Sequence, residues 1–202
     1  MKVYTDITQG SDEWDAIRLG KVTASRFSDV LNKRTGRGKY MYKLAAERLT
    51  GIKEEGYKNE AMQNGNDTES EARIYYEGLN GVTVEQVGFV ERDEFVGVSP
   101  DGFVGWEGLV EIKCPLGSTH AQYLKENRLP PNYVPQVQGQ LWACEREWCD
   151  FLSYYPYMPD RPMFCIQVFR DEKYIKNLES EVDRFVNELQ ELIERIKENK
   201  NV

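Results

Sequence analysis

The stretch Val98-Ser-Pro-Asp-Gly-Phe-Val-Gly-Trp-Glu-Gly-Leu-Val-Glu-Ile-Lys-Cys-Pro115 decides how the rest of the chain is read. Ser99, Pro100, Asp101 and Gly102 spell a turn. Val98 before it and Leu109-Val110 after it are short apolar runs that predict buried strands. Gly105 and Gly108 flank Trp106-Glu107, which suits a hairpin connection. Side chains on a strand alternate between faces, so Glu111 and Lys113 project to one side and Ile112 to a core. A hairpin folded back in this way brings Asp101 towards Glu111. Two carboxylates that meet repel unless a cation neutralises them. An all-oxygen pair suits magnesium or manganese. A lysine beside them adds positive charge where a phosphate or a hydroxide would sit. This is the minimum equipment for metal-assisted phosphodiester hydrolysis. Taken alone, a D…E-x-K triplet also describes a solvated hairpin.

The order Asp101, then Glu111-x-Lys113, resembles the active-site signature of the PD-(D/E)XK nuclease superfamily. The longer strings S-P-D-G, E-I-K-C-P and Y-x-x-Q-x-Q, with R-L-G-K-V-T-A-S near the start, resemble the YqaJ/lambda-exonuclease family of viral recombination nucleases. The resemblance runs from about Gln9 to about Tyr174. It implies an α/β fold, a central mixed β-sheet flanked by helices with a restriction-endonuclease-like core. It implies a phage-type Mg2+-dependent exonuclease that degrades double-stranded DNA from 5′ ends, leaving 3′ overhangs and mononucleotides. Asp101 and Glu111 would ligate metal, with Ile112 offering its carbonyl. Two ions are implied, and Mn2+ can substitute. Glu69, in G-N-D-T-E-S-E-A-R, matches a family glutamate near the metals, with Glu71 the competing position. Lys113 would orient the nucleophile or stabilise charge. Tyr133 and Gln136 would stand beside that lysine and the scissile phosphate; Gln138 matches the motif too but points elsewhere on its helix. Arg18 and Ser25 match residues implicated in holding a terminal 5′ phosphate. A homotrimer around DNA and a single-strand annealing protein as partner are carried over on the same grounds. Two alternatives stay open: an end-independent or structure-specific endonuclease, and a catalytically silent DNA-binding module.

The 202 residues predict a single domain, which the resemblance makes a nuclease domain: helical residues 1–80 as one cleft wall, a sheet core over 81–170 and a C-terminal helix over 171–202. No run approaches the roughly 20 apolar residues of a membrane span. MKVYTDITQG has no apolar h-region, which predicts no secretory signal and a cytosolic protein. In that setting Cys114, Cys144, Cys149 and Cys165 read as reduced thiols. An iron–sulfur cluster needs four converging thiolates, and no C-x-x-C pair is present. The net charge of −8 argues against a nucleic-acid partner, but its distribution does not. Residues 1–53 carry 11 basic and 6 acidic groups, whereas residues 54–112 carry 3 basic and 14 acidic. The excess acid lies where metals would bind, and the amino-terminal part is basic.

Ser11 is a good N-cap for a helix placing Trp14, Ile17 and Arg18 on one side, with Gly20 ending it. Thr23 can cap a second helix, Ala24 to Leu31, whose start beside Arg18 suits a phosphate; Arg18 could equally pair with Asp12 or Asp15. Residues 33–39, KRTGRGK, read as a basic flexible loop beside DNA or in solvent. A helix over 40–50 has Tyr42, Leu44, Ala45 and Leu49 at core spacing. An acidic amphipathic helix runs from Asn59 to Glu77 with Met62, Ala72 and Tyr76 inward. Strands are predicted within 82–98, joining 109–113 in one sheet. Helices follow from Thr119 to Asn127 and from Asn132 to Cys144, then strands at 150–155 and 164–169. Leu178, Val182, Phe185, Leu189, Leu192 or Ile193, and Ile196 recur at helical spacing in a long terminal helix. His120 reads as a surface residue, since a zinc site would need partners the chain lacks.

Overall fold

The computed structural model describes residues 1–32, 36–54 and 65–199. The chain opens with strand β1 (Lys2–Tyr4), helix α1 (Asp12–Arg18) and strand β2 (Val22–Thr23). A 3-10 turn over Ala24–Arg26 leads into α2 (Phe27–Leu31). Helices α3 (Gly36–Thr50) and α4 (Gly65–Asn80) follow. Next come β3 (Val84–Glu85), β4 (Phe89–Glu91), β5 (Val96–Val98), β6 (Gly102–Val104) and β7 (Gly108–Lys113). Helix α5 (Gly117–Glu126), a 3-10 turn at Pro131–Tyr133 and helix α6 (Val134–Cys144) lead to β8 (Trp148–Tyr154). β9 (Met163–Phe169) and the long α7 (Glu172–Glu198) complete the described elements. None of the described helices is long and apolar enough to cross a membrane.

Residues 102–113 of this stretch supply β6 and β7, the second and third strands of a five-stranded mixed sheet ordered β3-β6-β7-β8-β9. β6 and β7 are the antiparallel arms of the expected hairpin, with Phe103 opposite Leu109. Its glycines have physical causes. Gly105 turns at φ +57°, and a Cβ on Gly108 would meet the Trp148 ring at 2.2 Å. β7 then runs parallel to β8 from Gly108 to Lys113. A parallel pair requires a long crossover, and α5 and α6 supply it. β7 is covered on both faces. Leu109 joins a large core with Phe27, Leu44, Leu141, Phe151 and Phe185. Val110 and Ile112 join a smaller one with Ala72 and Tyr76 of α4.

Residues 82–98 do not all enter that sheet. Only β3 pairs with β6; β4 and β5 form a second sheet with β1 and β2, ordered β1-β4-β5-β2. The turn Ser99-Pro100-Asp101 therefore carries the chain from one sheet to the other. The amino-terminal part is not purely helical either, since β1 and β2 edge this second sheet. Ser11 caps α1, accepting from the Trp14 N–H, but Thr23 makes no side-chain cap bond. Residues 33–35 and 55–64, with the expected inward Met62, lie outside the described residues. Gly36 to Lys39 are already helical rather than loop, and α3 buries Tyr40, Leu44 and Ala45 while Tyr42 is 66% exposed. Helix α4 continues past Gly78 to Asn80, with Ala72 and Tyr76 inward as expected. On α7, Ile175, Leu178, Val182, Phe185, Leu189 and Ile193 form the buried stripe, and Ile196 lies beyond it.

His120 is fully buried rather than on the surface. The reason is tertiary. Its Nδ1 lies 2.8 Å from Ser153 Oγ and its Nε2 2.9 Å from the Arg161 carbonyl oxygen. A carbonyl only accepts, so Nε2 carries the proton, and Nδ1 shares a hydrogen bond with the serine hydroxyl.

A second buried polar contact fastens α4 to the sheet. Tyr76 Oη donates to Asp150 Oδ2 at 2.6 Å, while Asp150 Oδ1 is buried without a partner. Burial, then the Asp150 carboxylate, pushes the Tyr76 phenol upward, so it remains a donor at neutral pH. Tyr76→Phe should destabilise the protein by about 1–3 kcal/mol, because Asp150 loses its donor. Urea unfolding checks this; a midpoint unchanged from wild type would show that the bond is dispensable.

Candidate active site

Asp101 sits at the end of the turn between the two sheets. Its N–H donates to the Val110 carbonyl at 3.2 Å, and its Oδ2 accepts the Ile112 N–H at 2.6 Å. The carboxyl is thus pinned against β7 at the residue next to Glu111. Glu111 is 1% exposed. The crossover has placed α6 over it, and two glutamines one turn apart reach it. Gln136 Nε2 donates to Oε1 at 2.5 Å and Gln140 Nε2 to Oε2 at 2.6 Å. Lys113, two residues along the same face, ion-pairs with Oε1. The Lys113 ammonium also lies 5.4 Å from the centre of the Tyr133 ring, which packs on Phe151. Asp101, Glu111, Lys113, Tyr133 and Gln136 therefore come together as the pattern predicts.

The electrostatics follow from that crowding. Burial, then repulsion by Glu111 and Glu69, raises the Asp101 pKa well above the usual carboxylate range. Lys113 and the Ile112 N–H pull the other way and do not prevail. Burial disfavours the Lys113 ammonium, but Glu111 and Asp101 outweigh it, so the lysine stays protonated. Glu69 is half-buried on α4 and is raised first by burial, with Lys113 opposing and Glu111 adding to the shift. Glu71 is exposed. Of the two competing glutamates, Glu69 is the one whose charge interacts with the cluster. Cys114 is no nucleophile here, since burial, then Glu69 and Asp101, pushes its thiol up to about 12.

Among the described residues no group of three or more His, Cys, Asp or Glu side chains makes a ready-built metal cage. The residues nevertheless fit a hard divalent cation. Asp101 and Glu111 are mutually repelling oxygen donors in a partly buried space, with one ammonium group against two carboxylates. Magnesium needs only one or two protein carboxylates, the remaining positions going to water and substrate phosphate. The Ile112 N–H is spent on Asp101.

A second feature lies on the other side of the Ser99 turn. Arg18, Lys21, Ser25, Arg26, Lys43 and Lys53 line a cavity of about 200 Å3, with Asp15 and Glu47 also on its wall. Arg18 stacks on Trp14, its guanidinium carbon 3.7 Å from the ring centre. It donates to Ser99 Oγ at 3.0 Å, and Trp14 Nε1 donates to the same oxygen at 3.0 Å. Burial lowers the Arg18 pKa to about 10, which still leaves it charged at neutral pH. Arg18 and Ser25 thus share one wall as expected, while the cations at 21, 26, 43 and 53 were legible only as a basic amino-terminal composition.

Gln138 lies elsewhere. It is buried, its Nε2 donates to the Phe169 carbonyl and its Oε1 accepts the Asp171 N–H, both at 2.9 Å. Two residues from Gln136 is the wrong side of a helix, so its amide braces the β9–α7 junction instead of substrate. Gln140, absent from the sequence reading, holds Glu111. The signal for it was its spacing of four from Gln136.

A family model, the YqaJ-like viral recombinase domain, matches residues 13–147. The structure is similar to that of an alkaline exonuclease from Laribacter hongkongensis, at 44% identity over 93% of this chain and 96% of that one, with a TM-score of 0.87. The same exonuclease in complex with dAMP gives 0.88 at 43% identity, with the same coverage of both chains. A phage-related exonuclease from Haemophilus somnus shares the fold, with a TM-score of 0.67 at 17% identity over 87% of this chain and 96% of that one. An uncharacterised protein of Acanthamoeba polyphaga mimivirus is 26% identical over 170 residues, 76% of this chain. The chain spans 30% of the length of that curated relative. The architecture is the mixed α/β core of lambda-exonuclease-like PD-(D/E)XK nucleases. With the family model covering more than half of the sequence and a 44% identical neighbour matched along nearly its whole length, this chain belongs to the YqaJ-like viral recombinase family.

Proposed function

We propose that the protein is a magnesium-dependent deoxyribonuclease that degrades double-stranded DNA from 5′ ends, releasing mononucleotides and leaving 3′ single-stranded overhangs. The carrying observation is the meeting of Asp101, Glu111 and Lys113 at one end of β7, beside a basic cavity tied to the same turn through Ser99. The 44% identical neighbour, an alkaline exonuclease, supports the reading. Asp101 and Glu111 would hold the cation, with the Ile112 carbonyl as a further oxygen and Glu69 available to a second ion; Mn2+ could substitute. A bound divalent cation supplies charge that acidifies a water molecule and steadies the leaving oxygen. Lys113 places a fixed positive charge beside the phosphoryl oxygens. Gln136 spends its amide on Glu111 and so acts there by orienting that carboxylate. Arg18 and Ser25, among the cations of the cavity, take the 5′ phosphate of the DNA end; the arginine fork suits it. A single domain acting in the host cytosol, assembly as a homotrimer and cooperation with a single-strand annealing protein complete the proposal on the ground of family membership.

The direct test is release of nucleotides from a linear, 5′-phosphorylated duplex. Wild type should digest it with Mg2+, stop with EDTA and spare a covalently closed plasmid. Lys113→Ala should lose about 100-fold or more in rate and keep DNA affinity by fluorescence anisotropy. Cutting of the closed plasmid would replace the end-dependent reading with an endonuclease, and undiminished hydrolysis by Lys113→Ala would remove the assignment. Arg18→Ala should cut the rate advantage of 5′-phosphate over 5′-hydroxyl ends by about 10-fold, as for loss of one charged hydrogen bond; the same ratio in both proteins would count against a phosphate pocket. The third test concerns charge. Asp101 has a folded pKa above its unfolded value of about 3.9. Its contribution to stability is therefore present below that value and lost as pH rises through the folded one. In EDTA at pH 7–8, Asp101→Asn should melt above wild type, the gap closing towards pH 4, and Mg2+ should raise the melting temperature of wild type alone. A variant that melts lower throughout would show that Asp101 is not under strain.

A further inference from the structure

Gln140 lies on α6 one turn beyond Gln136, where residues four apart share a face. Both amides reach Glu111, but at different oxygens. Oε1 receives Gln136 and Lys113, whereas Gln140 supplies Oε2 at 2.6 Å. The same Gln140 nitrogen stands 3.4 Å from the carbonyl oxygen of Ser99, in the turn that bears Asp101. One side chain thus spans from the Glu111 strand to the Asp101 turn.

The setting makes an amide a poor choice for packing alone. Gln140 is fully buried, and its neighbours on α6 are Val137, Leu141, Trp142 and Ala143. Its Oε1 is buried with no hydrogen-bond partner. A methionine or leucine would fill the space with no unsatisfied oxygen. The orientation is dictated by the carboxylate. Only the amide nitrogen can donate to Oε2, and that turns Oε1 to where no donor waits.

We propose that Gln140 is a positioning residue for the metal centre, fixing the rotamer of Glu111 and its separation from the Asp101 turn. The inference rests on the nuclease reading above. Without Gln140, Lys113 and Gln136 draw Glu111 through Oε1 alone, and the oxygen pair offered to a cation loses its registration. Partners of this kind behind a metal ligand typically govern affinity by about 10–100-fold.

The test is calorimetric titration of Mg2+ and of Mn2+ into the full chain, without DNA, for wild type, Gln140→Met and Gln140→Asn. Methionine keeps the volume and removes the donor; asparagine keeps the amide but falls one methylene short of Oε2. Both variants should bind the ions about 10-fold or more weakly, with melting temperatures in EDTA close to wild type. Cleavage should show the same split, with a raised half-saturating Mg2+ concentration and kcat recovering at high Mg2+. A glutamine that serves packing alone would lower the EDTA melting temperature and leave the metal constants unchanged. Unchanged constants in a folded variant overturn the assignment, as does failure of both variants to fold, which would make Gln140 a core residue. A wild type that binds neither ion defeats the nuclease reading as well; a wild type that binds with variants that match it defeats only the role of Gln140.

Discussion

Asp101 and Glu111 repel each other, and much of the architecture serves to keep them together despite that. The turn between the two sheets delivers one carboxyl, and the fourth residue of β7 delivers the other. A backbone N–H, an ammonium and two amides then hold them in place. Each donor traces to a larger feature. The Ile112 N–H is available because Asp101 meets β7 where the turn enters β6. The amides arrive because β7 and β8 are parallel, which demands the crossover that lays α6 across Glu111. Glu69 comes from the opposite face, on a helix fastened by Tyr76 to Asp150. In the absence of a cation the arrangement is under electrostatic tension, and burial with the neighbouring carboxylates raises the Asp101 pKa.

The Ser99 turn joins this centre to the basic cavity. Its hydroxyl oxygen receives Arg18 and Trp14 from α1, and its carbonyl faces Gln140. Site and cavity are therefore built on the two ends of three consecutive residues, 99–101. A shared turn of three residues sets the distance between the basic cavity and the carboxylate pair.

What could be read in advance was local. Period-two alternation put Glu111 and Lys113 on one face, and the turn chemistry of Ser99–Gly102 and Gly105–Gly108 placed the hairpin. The cap at Ser11 and the apolar stripe of α7 were likewise legible. What escaped depended on partners distant in the chain. The separation of β4 and β5 from the main sheet is decided by pairing with residues 2–4 and 22–23. The burial of His120 is decided by Ser153 and Arg161. On α3 the core face set by Leu44 includes Tyr40, four residues earlier, rather than Tyr42. Gln140 had only its spacing of four from Gln136 as a signal, since composition marks that part of α6 as core; the position of Glu111 beneath the helix explains an amide there. Gln138 shows the converse, a motif residue whose side chain is committed to structure.

The imidazole of His120 carries a last consequence. It is the sole histidine of the chain, and both ring nitrogens are occupied inside the fold between α5, β8 and the connection to β9. The chain accordingly has no imidazole to spare outside this junction. That ring instead acts as a rivet, joining three segments far apart in the chain at one point.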